Sequence, residues 1–405
     1  MRRNAWYRIA AVAVVSLFVF GGQARAEDLY DLHGQVNAMD FASLANKVEF
    51  LEQELSTLRR QGAEGYGAGC ADSVADCRRC QPRSCGHWVA GASAYYLKPH
   101  WDVNPAIGVA ILGNSPFVDT VIVREFDWDY KTSPQVWLGY FGSNGFGVRV
   151  RWWEFDHSAN PVVQVEPADP AVAGGQAFVF GLQLPGLNKT TELLVPGVSQ
   201  VTSFSDLSLE VLDFELAHRT EFCQWSLLFS GGVRYARIRQ NYLAIETDPG
   251  FVEVVQSSSN RFEGWGPTVA VEARRDLGCS GLMFYSNLRA SVVYGDRNYA
   301  ANDFVLIPGV AGPGNPEESN IRGKDLLPST EVEVGLEYTV QTYYGCLTLQ
   351  AGLVGQAWFG VGNATLTGLP HKEKLGVNIF AYSTSAESNS NLGLFGGRFG
   401  AELAY

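Results

Sequence analysis

The chain ends NLGLFGGRFGAELAY, residues 391–405, an alternation of apolar with small or charged residues that closes on an aromatic carboxy-terminus. In an extended strand, side chains point alternately to opposite faces. Tyr405, Leu403, Ala401, Phe399 and Phe395 therefore share one face, and Ala404, Glu402, Gly400, Arg398 and Gly396 the other. A strand with one face in lipid and the other in a polar lumen accommodates both sets, as a membrane barrel requires. Residues 330–340 repeat the pattern more sharply: Val332, Val334, Leu336, Tyr338 and Val340 alternate with Glu331, Glu333, Gly335 and Glu337. A buried soluble strand could not take three carboxylates on one face without partners.

The same alternation marks ten candidate strands: 88–98, 135–142, 146–156, 208–218, 225–241, 261–275, 282–295, 330–340, 347–360 and 392–405. Most reach the nine residues or so that a tilted spanning strand needs. Short links alternate with long ones, the long being 99–134, 157–207, 242–260, 296–329 and 361–391, as in outer-membrane barrels with short periplasmic turns and long outer loops. Segments 176–184 and 192–201 are apolar enough to raise the count to twelve. The expected fold is all-β, an antiparallel transmembrane β-barrel over 88–405. Of the ten Trp, seven fall in these strands, as aromatic girdles would place them.

Before the barrel, Arg2 and Arg3, the apolar run 9–20 and Ala24-Arg25-Ala26 read as a secretory signal over 1–26, cleaved near Ala26. Its removal takes four arginines and no acid, leaving 26 basic against 42 acidic residues, a formal charge of −16. Nucleic acid is a poor partner for such a chain. In 27–61, Phe41, Leu44, Val48, Leu51, Leu55 and Leu58 form a heptad seam, either a single amphipathic helix or a coiled coil making a homo-oligomer through 41–58. The Gly- and Cys-rich segment 62–87 follows. Its Cys70, Cys77, Cys80 and Cys85 are expected to form disulfides in an oxidising compartment; their spacing lacks the two pairs of a zinc site, and no metal is expected. Cys223, Cys279 and Cys346 read as turn residues.

The motifs Trp88-Val89-Ala90-Gly91-Ala92 with Tyr95-Tyr96-Leu97, Gly147-Val148-Arg149-Val150-Arg151-Trp152-Trp153, Leu212-Asp213-Phe214-Glu215 and Gly231-Gly232-Val233-Arg234-Tyr235-Ala236 together resemble the pore-forming outer-membrane protein family typified by the Legionella major outer membrane protein. The resemblance implies an outer-membrane barrel, a passive pore function and no cofactor.

Strand parity makes Arg149, Arg151, Asp213, Glu215, Arg234, Arg289, Glu331, Glu333, Glu337, Arg398 and Glu402 candidates to line the pore, with Asp213 and Glu215 facing arginines across the lumen. Inward glycines such as Gly232, Gly264, Gly266, Gly335, Gly396 and Gly400 relieve crowding. A lumen of ten to twelve strands is narrow or plugged. The expected function is passive diffusion of small hydrophilic solutes or ions across the outer membrane of a two-membrane bacterium, with lipid as the surrounding partner. The alternative is a non-conducting structural barrel that anchors the envelope or presents its loops for adhesion. Enzymatic activity is not expected: no Gly-x-Ser-x-Gly elbow is present, and His157 beside Asp156 reads as a solvated loop residue.

Overall fold

The computed structural model describes residues 86–112, 118–165, 176–180, 200–222, 225–248, 252–278, 280–306, 314–365, 371–374, 380–383 and 390–405. The chain divides into units 1–76 and 77–405, and every described residue lies in the second. The signal segment, the 41–58 helix and Cys70, Cys77, Cys80 and Cys85 lie outside the described residues.

Sixteen strands are present among the described residues. They are β1 (His87–Trp101), β2 (Pro105–Leu112), β3 (Val118–Glu125), β4 (Lys131–Phe141), β5 (Phe146–Ser158), β6 (Val162–Val165), β7 (Gln176–Phe180), β8 (Gln200–Phe222), β9 (Trp225–Asp248), β10 (Val252–Asp276), β11 (Leu282–Leu306), β12 (Gly314–Thr342), β13 (Gly345–Trp358), β14 (His371–Lys374), β15 (Phe380–Ser383) and β16 (Leu392–Ala404). Ten of them, β1, β4, β5, β8, β9, β10, β11, β12, β13 and β16, form a closed antiparallel ring. The carboxy-terminal strand completes it. β16 pairs with β1 from Val89↔Ala404 to Trp101↔Leu392, and Trp88 and Tyr405 exchange backbone hydrogen bonds of 3.1 and 2.8 Å at the seam.

The ring is ten, not twelve. Residues 176–180 join β2 and β3 in a separate three-stranded sheet, and Gln200 and Val201 begin β8 instead of forming a hairpin. β6 pairs with the outer part of β8, continuing the edge that β5 leaves.

Period-two patterning explains the strands. Along β8, Val211, Asp213, Glu215 and Ala217 are buried inside the ring while Phe214 and Leu216 are exposed outward. Along β12, Val332, Val334, Leu336 and Tyr338 face out while Glu331, Glu333 and Glu337 face in. On β1, Trp88 and Tyr96 are both outward and exposed. Eight residue steps separate them, ~27 Å along the strand, which a tilt of ~40° reduces to ~21 Å, close to the ~25 Å apolar band of such barrels. At the inner end the connections are tight. The link 142–145 turns at Gly145 (φ 80), where the left-handed region excludes most side chains.

Two expectations need correction. The segments 242–260 and 296–329 are mostly strand, not loop: β9 runs to Asp248, β10 starts at Val252, and β11 and β12 reach Leu306 and Gly314. Five neighbouring strands, β8 to β12, thus stand beyond the lipid band as a wall. On β10 the part above Trp265 is 13 residues, ~43 Å of strand. Above the bilayer neither face meets hydrocarbon, so the sequence loses its alternation there although the ladder continues. The second correction concerns tryptophan. Trp137, Trp153 and Trp358 are buried inside the barrel, so they fill the lumen and the girdles rest largely on Trp88, Trp265 and tyrosines.

Candidate functional site: the barrel lumen

All eleven side chains singled out by parity face inward, and they meet in one belt in the inner half of the barrel. Asp213 lies at its centre. It accepts Arg234 Nε at 2.7 Å and Arg151 Nη2 at 2.9 Å, with Arg289 Nη1 at 3.6 Å. Arg151 also reaches Glu331 at 3.1 Å. Glu215 pairs with Arg149 at 2.8 Å and contacts Arg289. Arg398 turns to Glu333 instead of the Asp213 group. Two further members stand outside that set of eleven, although the same parity along β10 marks them: Glu272 pairs with Arg149 at 2.6 Å, and Arg274 bridges Glu272 at 3.3 Å and Glu337 at 3.0 Å.

Neutral side chains complete the belt. Trp137 Nε1 donates to Glu402 at 2.8 Å, Tyr285 Oη to Glu333 at 2.6 Å, and Gln350 Nε2 to Glu337 at 2.8 Å. Tyr285 fits because Gly335 and Gly352 lie beneath it: a Cβ on either would come within 2.7 Å of its ring or hydroxyl. Here inward glycine makes room for an inward aromatic. Six arginines face seven carboxylates in the belt, so its charges nearly cancel. Burial of this many ions is tolerable only because they are paired or hydrogen-bonded.

The belt leaves a cavity of about 40 Å³ among Trp137, Arg149, Tyr285, Asn287, Glu337 and Arg398, room for roughly three waters. Asn287 Oδ1, Arg289 Nε and Arg398 Nε are buried there without a protein partner and are the groups such waters satisfy. Beside Asp213, Arg234 and Trp358 the space falls to about 10 Å³.

Apolar side chains cluster on both sides of the belt. Val89, Phe141, Ala217 and Leu228 cluster at the inner end. The outer half holds a larger cluster in which Leu207, Leu209, Phe155, Ile238, Phe262, Val293, Leu327 and Leu394 from the ring meet Ala106, Ile107, Phe126, Trp128, Val361 and Ala364 from the mouth. The wall's inner face holds these mouth segments in place. Gln240 donates from Nε2 to Asn104 Oδ1 at 3.1 Å, and its Oε1 accepts from Ala364 N at 3.0 Å. Tyr242 Oη donates to Ala106 O at 2.9 Å, Ser258 Oγ to Ala364 O at 2.6 Å, and Asn260 Nδ2 to Val361 O at 2.9 Å. Residues 359–365 fit the mouth by turning at Gly360 (φ 69) and Gly362 (φ 73).

A family model described as Legionella pneumophila major outer membrane protein precursor matches residues 80–405. The chain belongs to the Legionella major outer membrane protein family. It is an outer-membrane β-barrel, with lipid against its outward face. A search of curated proteins found no match. Among solved structures, the outer membrane protease OmpT of Escherichia coli is 10% identical, with 80% of this chain and 98% of that one covered at a TM-score of 0.38. A major outer membrane protein of Thermus thermophilus is 10% identical, covering 79% and 99% at 0.31. A FadL homologue of Pseudomonas aeruginosa is 8% identical, covering 78% and 90% at 0.22. The family assignment rests on the family model and not on these three.

Outside the belt, His157 is not the solvated loop residue expected. It lies in β5, half-buried against Trp128 and Phe155, with Nε2 3.0 Å from Asp129 O. Cys346, expected in a turn, lies in β13 next to Gly345 and is disulfide-bonded.

Proposed function

We propose that this barrel is a porin-like, non-enzymatic protein that is closed in the state described, and that admits small hydrophilic solutes or ions only when its mouth segments leave the outer apolar layer. The observation behind this reading is the belt. A barrel with no passage to serve could be filled with apolar side chains throughout, as the outer half is, whereas a buried ionic network gives little stability over an apolar filling. Near-balanced charges argue for weak ion selectivity, since rings of one sign are what impose it.

The filled outer half favours a second reading, a structural barrel that never conducts. Apolar constrictions block ions by excluding water, and here the ring itself supplies much of that layer. Planar-bilayer recording of the full chain separates the two. The porin-like reading expects rare stepwise openings in the wild type and a higher open probability in Gln240→Ala, which removes two of the hydrogen bonds that hold the mouth, those to Asn104 and Ala364. Silence from both proteins, at either polarity, would leave the structural reading standing.

A further inference from the structure

Above the lipid band, cross-strand register sorts the outward side chains of the wall into rows. The lowest is Tyr235, Trp265, Tyr294 and Leu326, register partners in turn from β9 to β12. Tyr235 and Trp265 stack with ring centroids 5.0 Å apart. Such rings mark the level at which hydrocarbon gives way to headgroups. The next row is Arg237, Glu263, Asp296 and Lys324, in which charges offset one another: Arg237 lies 3.9 Å from Glu210 and Lys324 3.3 Å from Asp296.

The third row differs. It reads Arg239, Arg261, Asn298 and Arg322, three guanidiniums and no carboxylate. On β8 the row continues as the neutral Ser208, which separates Arg239 from Asp156 of β5 by two strand spacings, about 10 Å. Arg261 reaches down to Glu263, and Arg322 donates to Asn320 Oδ1 at 3.1 Å. Arg239 is the direct register partner of Arg261, and among the described residues it makes no hydrogen bond or ion pair. Like charges directly opposite each other destabilise a sheet. The row above, Asn241, Ser259, Ala300 and Asn320, is uncharged from β9 to β12, and its first carboxylate is Asp206 on β8. In a chain of formal charge −12, arginines thus crowd one register row of the wall's outward face, the second row beyond the interfacial rings and next to the offset charges.

We propose that Arg239, Arg261 and Arg322 bind the phosphate of an anionic lipid headgroup in the outer leaflet, with Tyr235 and Trp265 against its acyl chains. Guanidinium forks match phosphate oxygens bidentately, and a bound phosphate removes the Arg239–Arg261 repulsion. The aromatic row beside it commits the site to lipid. A soluble anion has no need of aromatic rings beneath it.

The test uses the full chain folded in zwitterionic micelles, with a bis-phosphorylated, acylated glucosamine-disaccharide lipid as probe and retained lipid counted by native mass spectrometry. Wild type is expected to retain the phosphorylated lipid at least about tenfold better than its dephosphorylated form, and an Arg239→Gln/Arg322→Gln variant to lose about tenfold or more. Lys98→Gln, at the outer end of β1 away from the wall, is expected to bind as wild type. Equal retention of the dephosphorylated lipid, unchanged binding by the double variant, or displacement by inorganic phosphate at the same concentration overturns the proposal. The electrophoretic shift on heating reports folding, and the dephosphorylated probe on wild type decides the matter even if the variant does not fold.

Discussion

Asp213 is fully buried where three arginines converge, and its position shows how much of the lumen is written in single residues. Removing one member of a buried ionic network strands the others without compensation, at a cost of about 3–5 kcal/mol. Asp213→Ala is therefore expected to destabilise the refolded barrel by that amount in urea unfolding, and an unchanged urea midpoint would show that the belt is dispensable to the fold. Period-two spacing in the sequence put Asp213 on the inward face. It could not say that Arg398 chooses Glu333 over Asp213, because partner choice depends on which strands curl opposite each other across the ring.

At the scale of elements, the mouth segment 359–365 turns on two left-handed glycines. A β-branched residue in that region costs about 1–2 kcal/mol or more. Gly362→Val is expected to loosen the segment from Ser258, Asn260 and Gln240 while the ring stays closed. Limited proteolysis would then cut within 359–365 faster than in wild type, with the heat-dependent electrophoretic shift retained; equal cutting rates would argue against the clamp. The outer parts of β8 to β12 belong to this scale too. They were illegible in the sequence because stretches such as Asn315 to Lys324 carry polar residues and Pro316 on a part of the strand that meets no hydrocarbon.

The whole molecule has a direction across the membrane. Short turns and the Trp88–Tyr405 end of the β1–β16 seam lie at the inner end, and the wall and mouth at the outer end. An epitope inserted at 249–251, between β9 and β10, is expected to bind antibody on intact cells, while one between Tyr343 and Tyr344 is expected to bind only after the outer membrane is permeabilised. The reverse pattern would invert the topology.

Sequence alone determined the barrel and its inward face, with ten or twelve strands. Alternation in the tail 391–405 and in 330–340, with short links between paired strands, marked ten strands and their inward charges, because lipid outside and a polar lumen inside impose a period of two with charge on the enclosed face. That the lumen is full emerges from the closed ring and not from any one strand. Whether Trp153, Phe155 and Leu209 leave a hole depends on how ten strands close and on which mouth residues fall between them, and both are distances across the barrel that no local pattern encodes.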